Sequence, residues 1–145
     1  MRTIHSVDHS LFNSGRRPGE VLVVDDEFAM REILAKWIDA AGFAVTTAPD
    51  AETALDILAE RDIAVVTVDK DMPGHDGMWL IGEIQKRYPT VAMLLASGDD
   101  SISPRVSLSQ GVLEYLVKPF DPEAIIRSIV VGVRWHFEAL HQGQE

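Results

Sequence analysis

From Glu20 onward the chain alternates between two hydrophobic periods. Short apolar runs of strand length are separated by segments in which apolar residues recur on one helical face. "EVLVVDD" is apolar until it ends in two acids. "EFAMREILAKWIDAAG" predicts a helix with Ile33, Leu34, Trp37, Ile38 and Ala41 on one face and Gly42 as its stop. "FAVTTA" is short and β-branched. "DAETALDILAERD" opens on Asp50 as an N-cap and buries Ala54, Leu55 and Leu58. "IAVVTV" is continuously apolar, as in a strand covered on both faces. "GMWLIGEIQKRY" reads as a helix and "VAMLLA" as a strand. "SPRVSLSQG" predicts a short serine-rich helix with Pro104 in its first turn, and "VLEYLV" a strand. "DPEAIIRSIVVGVRWHFEALHQ" predicts a long helix with Asp121 as N-cap and Pro122 at its first position.

Five strand–helix pairs in alternation predict a doubly wound α/β domain, with a central five-stranded parallel sheet covered by helices on both faces. Residues 1–19 are polar and close on Gly15, Arg16, Arg17, Pro18 and Gly19, which reads as a mobile leader. The domain itself is expected over residues 20–138, with 139–145 as a tail or the start of a linker.

Composition narrows the function. The 145 residues suffice for one domain with a core, and 46% of them are hydrophobic. A formal net charge of −10 leaves no basic stripe for phosphate contacts, which argues against nucleic-acid binding by this domain. The charge suits a domain that gathers carboxylates around a cation or meets a basic partner. No cysteine is present, so disulfides and thiolate metal sites are excluded. The five histidines show no ligand spacing, and no zinc site is expected. No apolar run is long enough for a signal peptide or a membrane span, so a cytoplasmic protein without membrane contact is the expectation.

The chemistry collects at the predicted strand ends. The first strand ends in Asp25 and Asp26, the third in Asp69, the fourth near Ser97 and the fifth at Lys118-Pro119. In open parallel sheets ligands lie beyond the carboxyl ends, where strand order reverses. Three carboxylates brought together there would repel one another and raise each other's pKa. A hard divalent cation with oxygen ligands relieves that conflict, so the cluster reads as a Mg²⁺ site with a lysine and a hydroxyl beside it. An exposed carboxylate can attack phosphorus if the phosphoryl oxygens are neutralised and hydrogen-bonded.

"VLVVDDE", "VDKDMPGHDG", "LLASG" and "YLVKPFD", in that order, resemble the receiver domains of two-component response regulators. The resemblance covers about residues 20–138 and implies a flavodoxin-like (βα)5 fold. It implies Asp69 as phosphoacceptor for a sensor histidine kinase or a histidine phosphotransfer protein. It implies Asp25, Asp26, Asp69 and the backbone carbonyl of Asp71 as ligands of Mg²⁺, with Mn²⁺ as a substitute. Lys118 would pair with the phosphoryl group across a cis peptide to Pro119. Ser97 would be the switch hydroxyl and Tyr115 the switch aromatic. Such a domain phosphorylates and dephosphorylates only itself, and signals to a downstream protein or an output domain. The chain departs from the pattern at Lys70, which is charged, and at Asp71, whose side chain adds an acid. The span from Ser97 to Lys118 is one residue short, and the segment 101–109 is rich in serine.

Blander and rival readings exist. Trp37 and Trp79 suit helix packing, and His75 an exposed turn. Asp76 suits a helix cap. Ile126, Val130, Val133, Phe137 and Leu140 follow heptad spacing, and their distal members fit a dimer seam, a lead into an output domain or a frayed end. Lys70 could sit on the acid cluster in place of the metal, making the chain a phosphorylation-independent pseudo-receiver that binds partners. "DKD" also matches the D-x-D of haloacid dehalogenase-type phosphatases. In those the motif ends the first strand and precedes a small hydroxyl residue, whereas here it ends the third and runs into Met72-Pro73.

Overall fold

The computed structural model describes residues 19–98 and 111–142. The described residues form five strands and four helices: β1 (Glu20–Val24), α1 (Phe28–Ala40), β2 (Ala44–Ala48), α2 (Ala51–Glu60), β3 (Ile63–Asp69), α3 (Gly77–Arg87), β4 (Ala92–Ser97), β5 (Val112–Val117) and α4 (Pro122–Gln142). The strands pair in parallel in the order β2-β1-β3-β4-β5. This is the doubly wound sheet that the alternating pattern predicts. Strand order reverses between β1 and β3, and the carboxyl ends of those two strands frame the switch point.

The apolar runs lack polar alternation because both faces of the sheet are covered. All seven residues of β3 are buried. Leu22, Val24, Val66 and Val68 turn toward α2 and α3 and pack with Leu58, Leu80, Ile81 and Ile84. Val21, Val23, Val65 and Leu94 turn toward α1 and α4 and pack with Leu34, Ile38, Ile125, Ile129 and Val133. Each large side chain fully withdrawn from water in these layers contributes about 1.5–3 kcal/mol. Three aspartates cap helices as their positions predict. Asp50 accepts from the Thr53 amide at 2.8 Å, Asp76 from Trp79 at 2.9 Å and Asp121 from Ala124 at 2.8 Å. Helix α1 ends before Gly42, whose φ of +100° is left-handed.

Two helical faces differ from the periodic reading. On α1 the buried row is Leu34 and Ile38, continued by Ala41, while Ile33 is 43% exposed. Ile33 and Trp37 lie one position round the helix, and only the larger indole reaches back to the core. On α4 the inner row is Ile125, Ile129, Gly132 and His136, with Ile126 and Val133 beside it. The expected heptad row runs along the edge of this face. Its members Val130 and Phe137 are half-buried against the core, and Leu140 is exposed. A Cβ at Gly132 would stand 3.0 Å from a Val65 methyl, so the glycine lets α4 approach β3 closely. His136, which periodicity did not single out, is buried, and its Nδ1 donates to the Thr90 carbonyl at 2.6 Å. Helix α4 runs without a break through residue 138 to Gln142. Residues 1–18 of the leader expected at 1–19, and 103–110 of the expected serine-rich helix, lie outside the described residues. Among the described residues no helix is long and apolar enough to cross a membrane.

Gly77 opens α3 directly beneath the end of β3. Its amide donates to the Lys70 carbonyl at 3.1 Å, and a Cβ there would lie 2.4 Å from the Asp69 carbonyl oxygen and 2.6 Å from Lys70 Cα. Backbone cannot yield as a flexible side chain can, so Gly77→Ala is expected to destabilise the fold by about 1–3 kcal/mol despite alanine's better helix propensity. Gly82 has nothing within 4 Å of the same added atom. Gly82→Ala is expected to stabilise by about 0.4–1 kcal/mol. Urea unfolding of both variants checks the opposite signs.

Candidate functional site

The register of the sheet assembles the site. Val24 pairs with Val68, so the residues that follow, Asp25 and Asp69, emerge side by side. Asp69 pairs with Ala96, and Ser97 with Val117, which brings the serine and Lys118 to the same edge. Two backbone bonds extend the ladder past the strands: Lys70 N–H to the Ala96 carbonyl at 2.8 Å and Lys118 N–H to the Ser97 carbonyl at 2.7 Å.

Carboxylate oxygens of Asp25, Asp26 and Asp69 all lie within 4.8 Å of one another. Asp25 and Asp69 are buried and Asp26 is exposed. Lys118 Nζ stands 2.9 Å from Asp25 Oδ2 and 3.7 Å from Asp69 Oδ1. The Lys118–Pro119 peptide is cis. Two backbone amides and one arginine make further contacts at the site. The Glu27 amide donates to Asp25 Oδ1 at 2.9 Å, the Asp71 amide to Asp69 Oδ1 at 3.1 Å, and Arg31 Nη1 to the Asp25 carbonyl at 2.7 Å. Ser97 is fully buried, and its hydroxyl donates to Asp71 Oδ2 at 3.0 Å.

The other singled-out residues sit further away. Tyr115 is opposite Leu95 on β5, half-buried against the layer under α2 and α3. Lys70 Nζ lies 3.9 Å from Asp71 Oδ1, an ion pair on the rim of the three-acid cluster. His75 is exposed, stacks on the Trp79 ring at 3.8 Å and lies 3.7 Å from Glu52. Two features escape sequence reading. The contact between Arg31 and the Asp25 carbonyl has only a weak signal, an arginine in the first turn of the helix that follows the acids. The Ser97–Asp71 bond joins residues 26 apart in sequence, and nothing in either local motif announces it.

Electrostatics follow from this packing. Burial drives the Asp69 carboxyl up to about 6. The Asp71 amide and the Lys118 charge pull it down, while the Asp25 charge and the contact with Asp26 push it up, and burial prevails. For Lys118, burial opposes the ammonium, but the hydrogen bond to Asp25 and the charges of Asp25, Asp69 and Glu27 outweigh it and raise its pKa. Three ionised carboxylates and one ammonium leave two negative charges. Every side-chain donor in the cluster is a carboxylate oxygen, which suits Mg²⁺ or Mn²⁺ and not a soft metal. The residues therefore fit a hard divalent ion.

The sequence model of the response regulator receiver domain matches residues 21–130. The chain belongs to the response regulator receiver family. It is similar to the response regulator protein FleR of Pseudomonas aeruginosa, 37% identical over 108 residues. That match covers 74% of this chain and 23% of FleR, so the chain spans about a quarter of that relative. Among solved structures, the signal receiver domain of an HD domain-containing protein from Pseudomonas fluorescens superposes with a TM-score of 0.81 at 24% identity, over 87% of this chain and 94% of that one. NtrX from Brucella abortus, crystallised with ATP, superposes with a TM-score of 0.80 at 28% identity, over 87% of this chain and 29% of NtrX. This receiver is thus one part of the length of several of its relatives.

The raised Asp69 pKa makes a prediction about stability without metal. Between the unfolded value near 3.8 and the folded value of about 6, the native state binds more protons than the unfolded chain. Stability therefore falls as pH rises through that window, and the loss persists above it. Asp69→Asn removes the buried charge, and at pH 7 in chelator it is expected to be more stable than wild type by on the order of 1–2 kcal/mol, discounted for the lost attraction to Lys118. The difference is expected to shrink below pH 4. Thermal unfolding across pH 3–8 reads both.

Proposed function

We propose that the protein is a phosphorylation switch in which Asp69 accepts a phosphoryl group from a histidine kinase or a histidine phosphotransfer protein. The observation that carries this reading is the triad of carboxylates within 4.8 Å at the ends of β1 and β3, with Lys118 Nζ on two of them. In the reaction an Asp69 carboxylate oxygen forms a bond to phosphorus as the P–N bond of the donor phosphohistidine breaks. The imidazole leaves with that electron pair, and an acyl phosphate remains on Asp69. The raised pKa of Asp69 reflects a carboxylate poorly solvated by water and so less shielded from an electrophile.

Asp25, Asp26, Asp69 and the Asp71 carbonyl would hold Mg²⁺, or Mn²⁺ in its place. When bound, the ion would neutralise the phosphoryl oxygens and the repulsion among the acids. Lys118 Nζ lies 2.9 Å from Asp25 Oδ2 and 3.7 Å from Asp69 Oδ1, and its ammonium would pair with a phosphoryl oxygen once drawn from Asp25. Ser97 would donate to another phosphoryl oxygen, and Tyr115 would follow it inward. The chemistry is confined to the protein's own aspartate, so it is a signalling domain and not a catalyst acting on other molecules.

Phosphorylation adds nearly two negative charges at one strand end. To carry the domain from mostly off to mostly on, it must favour the active conformation by several kcal/mol. The changed face would then be read by a downstream protein, an output domain or a second copy of the chain. A cytoplasmic setting fits that role.

Acetyl phosphate with Mg²⁺ tests the proposal by intact mass. Wild type is expected to gain one phosphoryl group and Asp69→Asn none. Equal labelling of Asp69→Asn would refute the assignment. A folded wild type that takes no label from acetyl phosphate or a kinase would point to a module that binds partners without phosphorylation.

A further inference from the structure

A serine hydroxyl carries one proton and can donate one strong hydrogen bond at a time. In this structure the Ser97 hydroxyl donates to Asp71 Oδ2 at 3.0 Å. A carboxylate only accepts, so the direction of the bond is fixed and the proton is committed. Ser97 is fully buried, and Asp71 sits at the mouth of the site with its side chain 55% exposed. Asp71 is also tied to the acceptor itself, because its amide donates to Asp69 Oδ1 at 3.1 Å. The same residue therefore orients Asp69 with its backbone and holds Ser97 with its side chain.

We propose that the Asp71 carboxylate is a positioning residue that latches Ser97 in the unphosphorylated state. The proposal rests on the reading of Asp69 as phosphoacceptor. A phosphoryl group on Asp69 is a second anionic acceptor, and Ser97 can serve it only by releasing Asp71. The two anions compete for one proton, and the strength of the Asp71 bond sets how much of the phosphoryl group's interaction is spent on switching. Lys70 gives the released carboxylate somewhere to go. Its ammonium is already 3.9 Å from Asp71 Oδ1, the oxygen that Ser97 does not use. The two departures from the family pattern thus act together: the extra acid holds the hydroxyl, and the extra lysine receives the acid.

Affinity for beryllofluoride, a non-transferable phosphoryl mimic, measured with Mg²⁺ by calorimetry, tests the latch. Asp71→Ala keeps the backbone amide and carbonyl and removes the competing acceptor together with its charge and its contact with Lys70. It is expected to bind the mimic about tenfold more tightly than wild type, the worth of one hydrogen bond to a charged group. Asp71→Asn keeps an acceptor oxygen without the charge and is expected to fall between the two. In a Ser97→Ala background, Asp71→Ala is expected to change affinity less than about twofold, since no hydroxyl is left to release. An equal gain with and without Ser97 would overturn the latch and leave Asp71 acting by charge alone. No gain in Asp71→Ala would also overturn it. Failure of wild type to bind the mimic at all would instead bring down the phosphoacceptor reading, and the latch with it.

Discussion

Three carboxylates are held at the carboxyl edge of a parallel sheet closer than their charges favour, and the site is organised around that repulsion. Asp25 and Asp69 cannot move apart, because β1 and β3 are in register up to the residues before them and both strands are buried. The conflict has a partial answer within the chain. Lys118 reaches the pair from just beyond β5, and the backbone amides of Glu27 and Asp71 donate to Asp25 Oδ1 and Asp69 Oδ1. What remains is a net charge of two on oxygen donors alone, which is the specification of a hard divalent cation. The upward shift of Asp69 comes first from its burial, and the Asp25 charge adds to it.

The rest of the fold makes that crowding rigid. Both faces of the sheet are sealed by apolar layers, so the strand ends are fixed as a unit. Gly77 lets α3 start against the Asp69 carbonyl, and Gly132 lets α4 lie against β3. Neither glycine is needed for a left-handed turn. Each is needed because backbone or core packs where a Cβ would be. The strand ends supply fixed positions, and the loops that follow them supply the groups that can rearrange. Ser97 and Asp71 are the pair in which these two kinds of residue meet.

Much of this was legible in the sequence, and the reasons are physical. Continuous apolar runs reported strands buried on both faces, and the acids that ended them had to emerge at one edge of a parallel sheet. Asp50, Asp76 and Asp121 announced three helix starts because a short carboxylate before an apolar face has one dominant local use. Ile33 was misread because periodicity gives the direction of a helical face and not its width. His136 was missed because its value to the fold lies in one bond to the Thr90 carbonyl, 46 residues away. The bond from Ser97 to Asp71 was illegible for the same reason. The sequence reading gave Asp71 a role through its backbone carbonyl alone, while the structure gives its side chain a partner.

The central claim is that the crowded acid at the end of β3 is the one that reacts. Borohydride reduction after phosphorylation converts an aspartyl phosphate to homoserine and releases phosphate, and tandem mass spectrometry of the peptides then locates the residue. With a histidine kinase as donor and Mg²⁺ present, the account predicts homoserine at position 69 alone. Homoserine at 25, 26 or 71 would contradict it, because the residues here assigned to metal binding or to holding Ser97 would then be doing the chemistry.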